Sequence, residues 1–213
     1  MNTHQIIKAA LAGAVALLAA CGDSTGSSNT ATGSGSLSYT YTGARSGSYS
    51  ANGEFQQNTT SFVKQPFAVG VRSQQAGLSA ISIVSYLPVT STTGHMVLIG
   101  IPELSGTGNI DLSGTSCSSL CPLALLLFDT NPDLEEDDSQ LFGFTGGRVS
   151  VTSNSGGHLR GTFSGTAENF AGDSVITITN GAFDVPIRNE SSLNLDRAVA
   201  RPVRMMERRA RPE

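Results

Sequence analysis

The stretch that decides the fold is SVITITNGAFDVPI, residues 174–187. Apolar and polar side chains alternate on both sides of Asn180-Gly181, as they do in β-strands with one buried face. Asn-Gly is the dipeptide that a type I′ turn prefers, because both of its central residues need a positive φ. The stretch therefore predicts a β-hairpin that turns at Asn180-Gly181.

Counting outward from this turn fixes the register of the predicted hairpin. The cross-strand pairs are Thr179–Ala182, Ile178–Phe183, Thr177–Asp184 and Ile176–Val185. Both pairs of large apolar side chains fall on one face and the Thr–Asp pair falls on the other, so register and burial agree. Pro186 has no N–H to donate, so the ladder is predicted to end there.

The segment just upstream, GRVSVTSNSGGHLRGTFSGTA (147–167), has the same character. A five-residue loop over 153–157 sets Val151 against Leu159 and predicts a second antiparallel pair. His158 and Arg160 then point away from Leu159, together with Thr162, Ser164 and Thr166. This pattern predicts a half-buried sheet with one polar face.

Short apolar or alternating runs separated by Gly, Asn, Asp and Ser continue through residues 37–187, and none has helical periodicity. The sequence predicts an all-β domain here, an antiparallel β-sandwich or a barrel-like sheet. The predicted organisation is a signal peptide over 1–20, a flexible Gly/Ser tether over 21–36, the β domain over 37–187 and a basic tail over 188–213.

The N-terminus predicts export and anchoring. Lys8 precedes an apolar run over 9–20 that is too short to cross a bilayer as a helix. Leu18-Ala19-Ala20-Cys21 resembles the lipobox of bacterial prolipoproteins, which implies that Cys21 receives a diacylglyceryl group and becomes the first residue of the mature chain. Gly22 after the cysteine resembles the outer-membrane sorting pattern. Acyl chains on Cys21 would then hold the protein on the bacterial cell envelope.

Together with the lipobox, GTFSGTA (161–167) and ITNGAFDVPI (178–187) resemble uncharacterised Gly/Ser-rich bacterial lipoproteins, as does LSYTYTGARSGSYSANGEF (37–55). The resemblance implies the all-β fold class and the envelope location. It leaves residues 60–145 without a matching motif and transfers no site residues.

Charge separates the domain from the tail. Residues 22–187 carry 13 acidic and 5 basic side chains, whereas 188–213 carry 4 acidic and 7 basic ones. The arginines of the tail are spaced for one side of a helix, opposite Leu195, Val199, Val203 and Met206, but Pro202 interrupts it, so a disordered or loosely helical extension is predicted. Acidic composition and the lack of tryptophan argue against a nucleic-acid partner.

No catalytic set emerges from the sequence, so a non-catalytic protein is predicted. The Gly-x-Ser-x-Gly pattern at 22–26 lies in the tether, and Gly172-Asp173-Ser174 opens a strand, so neither has the strand–turn–helix context of a hydrolase nucleophile. His95 and His158 are the candidate bases of an unrecognised hydrolase.

Two further sites, neither of them catalytic, are predicted elsewhere in the chain. Cys117 and Cys121 are predicted to form a disulfide in an oxidising envelope, with a metal set that includes His95 and His158 as the alternative. In the acidic stretch over 129–140, Asp129, Asn131, Asp133 and Glu135 are the candidate Ca²⁺ ligands. Leu134 and Gln140 replace the glycine and glutamate of a calcium loop, so a solvated acidic loop is the favoured interpretation.

These features predict a lipid-anchored envelope protein that acts as a non-catalytic binding or structural module. Its partners are the membrane, through the lipid on Cys21, and an unidentified envelope protein or small ligand. A lipocalin-like carrier of small apolar ligands is one alternative, since runs such as HMVLIGI (95–101) and LALLLF (123–128) fit a cavity lining. A calcium-stabilised adhesion module is the other, and no cofactor besides Ca²⁺ is implied.

Overall fold

The computed structural model describes residues 33–56, 65–75, 78–91, 93–112, 122–130 and 140–189. These residues are all-β, as predicted, and contain no helix. None of them forms a helix that is long and apolar enough to cross a membrane. The ten strands are β1 (Gly35–Gly43), β2 (Gly47–Gly53), β3 (Phe67–Gln75), β4 (Leu78–Pro88), β5 (Gly94–Pro102), β6 (Gly108–Asp111), β7 (Leu123–Thr130), β8 (Gln140–Ser155), β9 (His158–Asn169) and β10 (Val175–Asn189).

Seven of the strands close into a barrel, in the order β10-β3-β4-β5-β7-β8-β9 and back to β10. All neighbours are antiparallel except β10 and β3, which pair in parallel from Ile187↔Gly70 to Asn189↔Arg72. The hairpin of β1 and β2 extends the sheet from the other half of β10, and β6 pairs with β8. Of the two architectures predicted, the barrel is therefore the one that forms.

The predicted hairpin at Asn180-Gly181 is wrong, because Val175–Asn189 is a single strand. Asn180 has a φ of 53° and lies in a β-bulge, where β10 carries one extra residue relative to both β9 and β1. The extra residue changes the alternation of side chains, so Ile178 and Phe183 both point inward although their numbers differ in parity. The predicted burial is thus correct, but a bulge produces it instead of a turn.

The prediction that the ladder ends at Pro186 is also wrong. Pro186 pairs with His158 of β9, and the next residue donates a 2.7 Å backbone hydrogen bond from its N–H to Gly157 O. On the opposite edge of β10, β1 pairs up to Asp184 and β3 takes over at Ile187. Proline therefore occupies the point where β10 changes partners on that edge, where a missing N–H costs least.

The second predicted pair, β8 with β9, forms with a shorter turn than expected. Gly156 and Gly157 have φ values of +62° and +76°, the two positive values that a type I′ turn requires, and Ser155 pairs directly with His158. The predicted five-residue loop over 153–157 is therefore wrong. Leu159, Phe163 and Ala167 still face the core and Arg160 faces out, as the alternation predicted.

The β1–β2 hairpin crosses β3 at a pair of glycines. Gly35 pairs with Gly53, and a Cβ atom on either residue would lie 2.1 Å from a backbone oxygen, that of Ala68 or Pro66. Only glycine permits this approach of the hairpin to β3. The crossing brings Tyr49 over β4, where its hydroxyl lies 2.9 Å from Ser85 Oγ.

Large side chains fill the barrel interior. Tyr49, Phe128, Phe142 and Leu37 are among the largest fully buried side chains, and the Tyr39 and Tyr49 rings stack with their centroids 5.0 Å apart. Phe128 meets Phe142 edge to face at 5.6 Å. These contacts make the interior a packed core, as in other barrels of this size.

The outer surface divides into two unlike parts. On β1, β10 and β9 the outward residues form what we call the hydroxyl-rich face: Ser36, Ser38, Thr40, Thr42, Thr177, Thr179, Asp184, His158, Arg160, Thr162 and Ser164. On β3, β4, β5 and β7, with the start of β8, they form what we call the apolar outer face: Phe67, Val69, Val71, Val84, Tyr86, Met96, Leu98, Leu123, Leu125, Leu127 and Leu141.

Candidate functional site

The most strongly interacting polar cluster on the hydroxyl-rich face is formed by His158, Arg160 and Asp184. His158 and Arg160 lie two residues apart on β9, so both point outward, and Asp184 is the direct partner of Arg160 on β10. Asp184 Oδ1 lies 2.8 Å from His158 Nδ1, and Asp184 Oδ2 accepts a 2.7 Å hydrogen bond from Arg160 Nε. One carboxylate therefore fixes the positions of both basic side chains.

Two opposing effects act on the pKa of Asp184. Partial burial raises this pKa, whereas the hydrogen bonds from His158 and Arg160 and the charges of both groups lower it. The lowering effects prevail, so the pKa of Asp184 lies below its ordinary value. At neutral pH the cluster therefore presents an ionised carboxylate.

Hydroxyl groups and the start of β1 lie around the cluster. Ser36 of β1 is the direct partner of Asp184, and Ser153 of β8 is the direct partner of Arg160, so one polar row crosses four strands. A Cβ atom on Gly33 would lie 4.0 Å from His158 Nε2. The cluster is thus close to the point where the chain enters β1.

This geometry meets one requirement of a hydrolase and leaves another unmet. A carboxylate holds His158 Nδ1, which leaves Nε2 to act as a base. Among the described residues, however, Asp184 is the hydrogen-bond partner of His158, and no serine or threonine hydroxyl is bonded to Nε2. His158 therefore has an orienting carboxylate but no nucleophile in the described part of the chain.

His95 does not join this cluster. It lies on β5 and packs edge to face against Phe128, with ring centroids 5.2 Å apart. Within the described ranges, no group of three or more His, Cys, Asp and Glu side chains is arranged to hold a metal ion.

The Gly172-Asp173-Ser174 motif is part of a turn. Asn169 Oδ1 accepts hydrogen bonds from the backbone N–H groups of these three residues, at 2.9, 3.1 and 3.2 Å. Asn169 Nδ2 also donates a 2.7 Å hydrogen bond to Asp173 Oδ1. The motif therefore connects β9 to β10 and directly precedes a strand, as predicted.

Apart from Asp129, the remaining predicted site residues lie outside the described residues, and the predictions made for them stay predictions. Of the candidate calcium ligands, Asp129 belongs to β7 by its backbone. The residues outside the described ranges are Cys21, Cys117, Cys121, Asn131, Asp133 and Glu135.

Sequence reasoning named His158 but missed its partners. The outward direction of Arg160 was predicted from the alternation along the strand. Asp184 was assigned to a polar pair with Thr177, because the hairpin register was wrong. The pairing of β9 with β10, which no local motif encodes, is what brings Asp184 to His158.

The lowered pKa of Asp184 gives a testable dependence of stability on pH. A carboxyl group whose pKa is lowered on folding stabilises the protein at pH values above its unfolded-state pKa, and this contribution is lost as the pH falls through the folded-state pKa. We expect Asp184→Asn to lower the free energy of unfolding at pH 7 by about 1 kcal/mol or less, since the carboxylate is 41% exposed. The difference should shrink to zero in acid.

Urea unfolding of both proteins at pH 7 and in a series of acidic buffers measures this difference. Glu168→Gln is the matched control, because Glu168 lies on the neighbouring strand β9 and loses the same charge. A stability difference between wild type and D184N that stays constant down to strongly acidic pH would contradict the assignment.

Comparison of the chain with protein-family models, with curated proteins and with solved structures finds no match.

Proposed function

We propose that this protein is a lipoprotein of the bacterial cell envelope that acts as a non-catalytic binding module. In this proposal the acylated Cys21 holds the barrel at a membrane, and the outer membrane is the destination that Gly22 favours. An envelope protein binds to the hydroxyl-rich face. The contrast between the filled barrel interior and the hydroxyl-rich face supports the binding part of the proposal.

Because the barrel interior is filled, we place the binding site on the outer surface. Tyr49, Phe128 and Phe142 occupy the space that a ligand would need, and each is less than 2% exposed. The hydroxyl-rich face offers donors and acceptors across three neighbouring strands instead. Polar side chains held on a rigid sheet suit recognition of a protein surface, because little side-chain entropy is lost on binding.

The His158–Arg160–Asp184 cluster supports binding more than catalysis. Its three side chains satisfy one another, and Asp184 accepts hydrogen bonds from both basic groups. A hydrolase would also need a nucleophile within hydrogen-bond distance of His158. As a preformed charged spot near the start of β1, the cluster can orient a partner by electrostatic complementarity.

Fractionation of the producing bacterium tests the anchor. Wild-type protein is expected in the membrane fraction, and its N-terminal peptide should carry the added mass of acyl chains on Cys21. Cys21→Ser is expected in the soluble fraction, because the lipid provides the hydrophobic contribution to membrane binding. Membrane-bound C21S protein would contradict the anchor.

The binding face is tested in the same cells with a photo-crosslinking amino acid at Thr162, the β9 residue of the hydroxyl-rich face that pairs with Ala182 of β10. We expect a defined envelope partner at Thr162 and none with the same probe at Val89, which is 51% exposed in the β4–β5 turn. Equal capture at both positions would contradict the assignment of the face.

A carrier of small apolar ligands is the second candidate, and the closed barrel favours it, because barrels of about this size hold one small ligand in some families. It requires that interior side chains move aside when the ligand enters. The apolar-probe experiment described with Phe142 in the Discussion separates the two candidates.

A further inference from the structure

The apolar outer face is covered although few described residues lie over it. Its side chains belong to neighbouring strands, and the most exposed of them, Met96, is 9% exposed. Among the described residues outside the strands, Phe55 and the partly buried Phe170 pack against this face. The described parts of these two segments are too short to cover four strands, so the burial requires residues outside the described ranges.

The burial of Arg188 is a second indication that the apolar outer face is covered. It pairs with Val71 of the apolar outer face, and its side chain is 7% exposed. Its guanidinium lies 3.3 Å from Glu54 Oε1 and 5.9 Å from the centre of the Phe55 ring, and Nε has no hydrogen-bond partner. A charged group is rarely buried to this extent at the edge of an uncovered sheet.

We propose that the C-terminal segment 190–213 crosses the apolar outer face and covers it. The segment follows β10 directly, and β10 ends at Asn189 beside Arg72 of β3, at the edge of this face. Its 24 residues include Leu193, Leu195, Val199, Val203 and Met206. On the proposed function, cleavage before Cys21 removes residues 1–20, and the remaining stretch 21–34 before β1 contains no Leu, Ile, Val, Phe or Met.

The dimensions of the face fit this segment. A diagonal from the end of β3 to the far end of β7 measures about 30 Å, for four strands about 4.8 Å apart and eight residues along β7. A chain of 24 residues covers about 36 Å as a helix, so a helical segment that bends at Pro202 still spans this diagonal.

Charge favours the same direction of crossing. The diagonal starts at Asn189 and ends where β7 leads into the acidic stretch over 131–139, which carries five Asp and Glu residues. The segment becomes more basic along its length, with Arg204, Arg208, Arg209 and Arg211 in its second half. Opposite charges therefore come together at the far end of the apolar outer face.

Crosslinking within the full-length chain tests the contact directly. A photo-crosslinking amino acid at Val203 is expected to join the tail to peptides of β4 or β5 in a product with the mass of one chain. The same probe at Arg201, on the opposite side of the tail, should give at least several-fold less of this product. Products with the mass of two chains, lipid adducts, or no product with β4 or β5 would each overturn the proposal.

Exposure of the face gives an independent readout. Val199→Asp places a charge on the apolar side of the tail and should raise the fluorescence of an apolar-surface dye such as ANS several-fold, because the apolar outer face becomes accessible. Arg201→Asp introduces the same residue on the basic side and should leave the fluorescence low. Equal fluorescence of the two variants would overturn the proposal even if crosslinking proved inefficient.

Discussion

Phe142→Ala is expected to lower the free energy of unfolding by about 3–5 kcal/mol. Phe142 is fully buried, and its ring meets Phe128 edge to face at 5.6 Å inside the barrel. Its backbone is paired on both sides, with Leu126 of β7 and Asn169 of β9, so the barrel wall cannot collapse into the space left by the ring. Urea unfolding followed by far-UV circular dichroism measures the loss.

The same variant distinguishes a filled core from a carrier. Wild-type protein is expected to bind no small apolar probe such as benzene, and F142A is expected to bind it in the new cavity, as engineered apolar cavities do. Phe142→Leu, which removes less volume, should lose less stability. Saturable binding of the probe by wild type, or a loss below about 1 kcal/mol in F142A, would contradict the filled interior and favour the carrier.

The strands and their buried faces could be predicted because side-chain direction alternates with a period of two, whatever the partner strand. Leu159, Phe163 and Ala167 were placed inward on this basis, and they are buried. This information is local. It requires only a strand that is long enough to show the pattern.

The bulge at Asn180 could not be predicted from the sequence in the same way. A residue that accepts a positive φ, followed by glycine, suits a type I′ turn and also suits this bulge. The choice depends on whether strands are available on both sides of the continuing chain. Here β1 and β9 both pair with β10 across Asn180, and these contacts come from distant parts of the sequence.

The division of the outer surface into a hydroxyl-rich face and an apolar outer face could not be predicted from the sequence either. The runs over 95–101 and 123–128 are apolar without alternation, which fits a cavity lining as well as a strand that is buried on both sides. In the structure Val97 faces the interior, while Leu98 and Leu125 belong to the apolar outer face. What covers a sheet face is a tertiary property, so the run alone cannot indicate it.

Gly53→Val is the second substitution for which we expect a large loss of stability, about 3 kcal/mol. A Cβ atom at position 53 would lie 2.1 Å from Pro66 O, and this obstacle is backbone, which cannot rotate away as a side chain can. The β1–β2 hairpin must therefore move off β3. That movement also breaks the contact between the Tyr49 hydroxyl and Ser85 Oγ.

Gly146→Ala is the matched control, because Gly146 also lies in a strand but a Cβ atom there would meet nothing within 4 Å. We expect this control to stay within about 0.5 kcal/mol of wild type in urea unfolding. A loss in G53V no larger than that of the control would show that the crossing tolerates a side chain, and would contradict the role of the glycine pair.

The tyrosines make it possible to observe whether the β1–β2 hairpin of G53V unfolds before the barrel. The chain has no tryptophan and four tyrosines, and three of these, Tyr39, Tyr41 and Tyr49, lie on the β1–β2 hairpin. Near-UV circular dichroism therefore reports mainly on the hairpin, whereas far-UV circular dichroism reports on the whole barrel. Because β1 pairs with β10 through most of its length, we expect both signals of G53V to change at the same urea concentration. Earlier loss of the near-UV signal would mean that the hairpin detaches while the barrel persists.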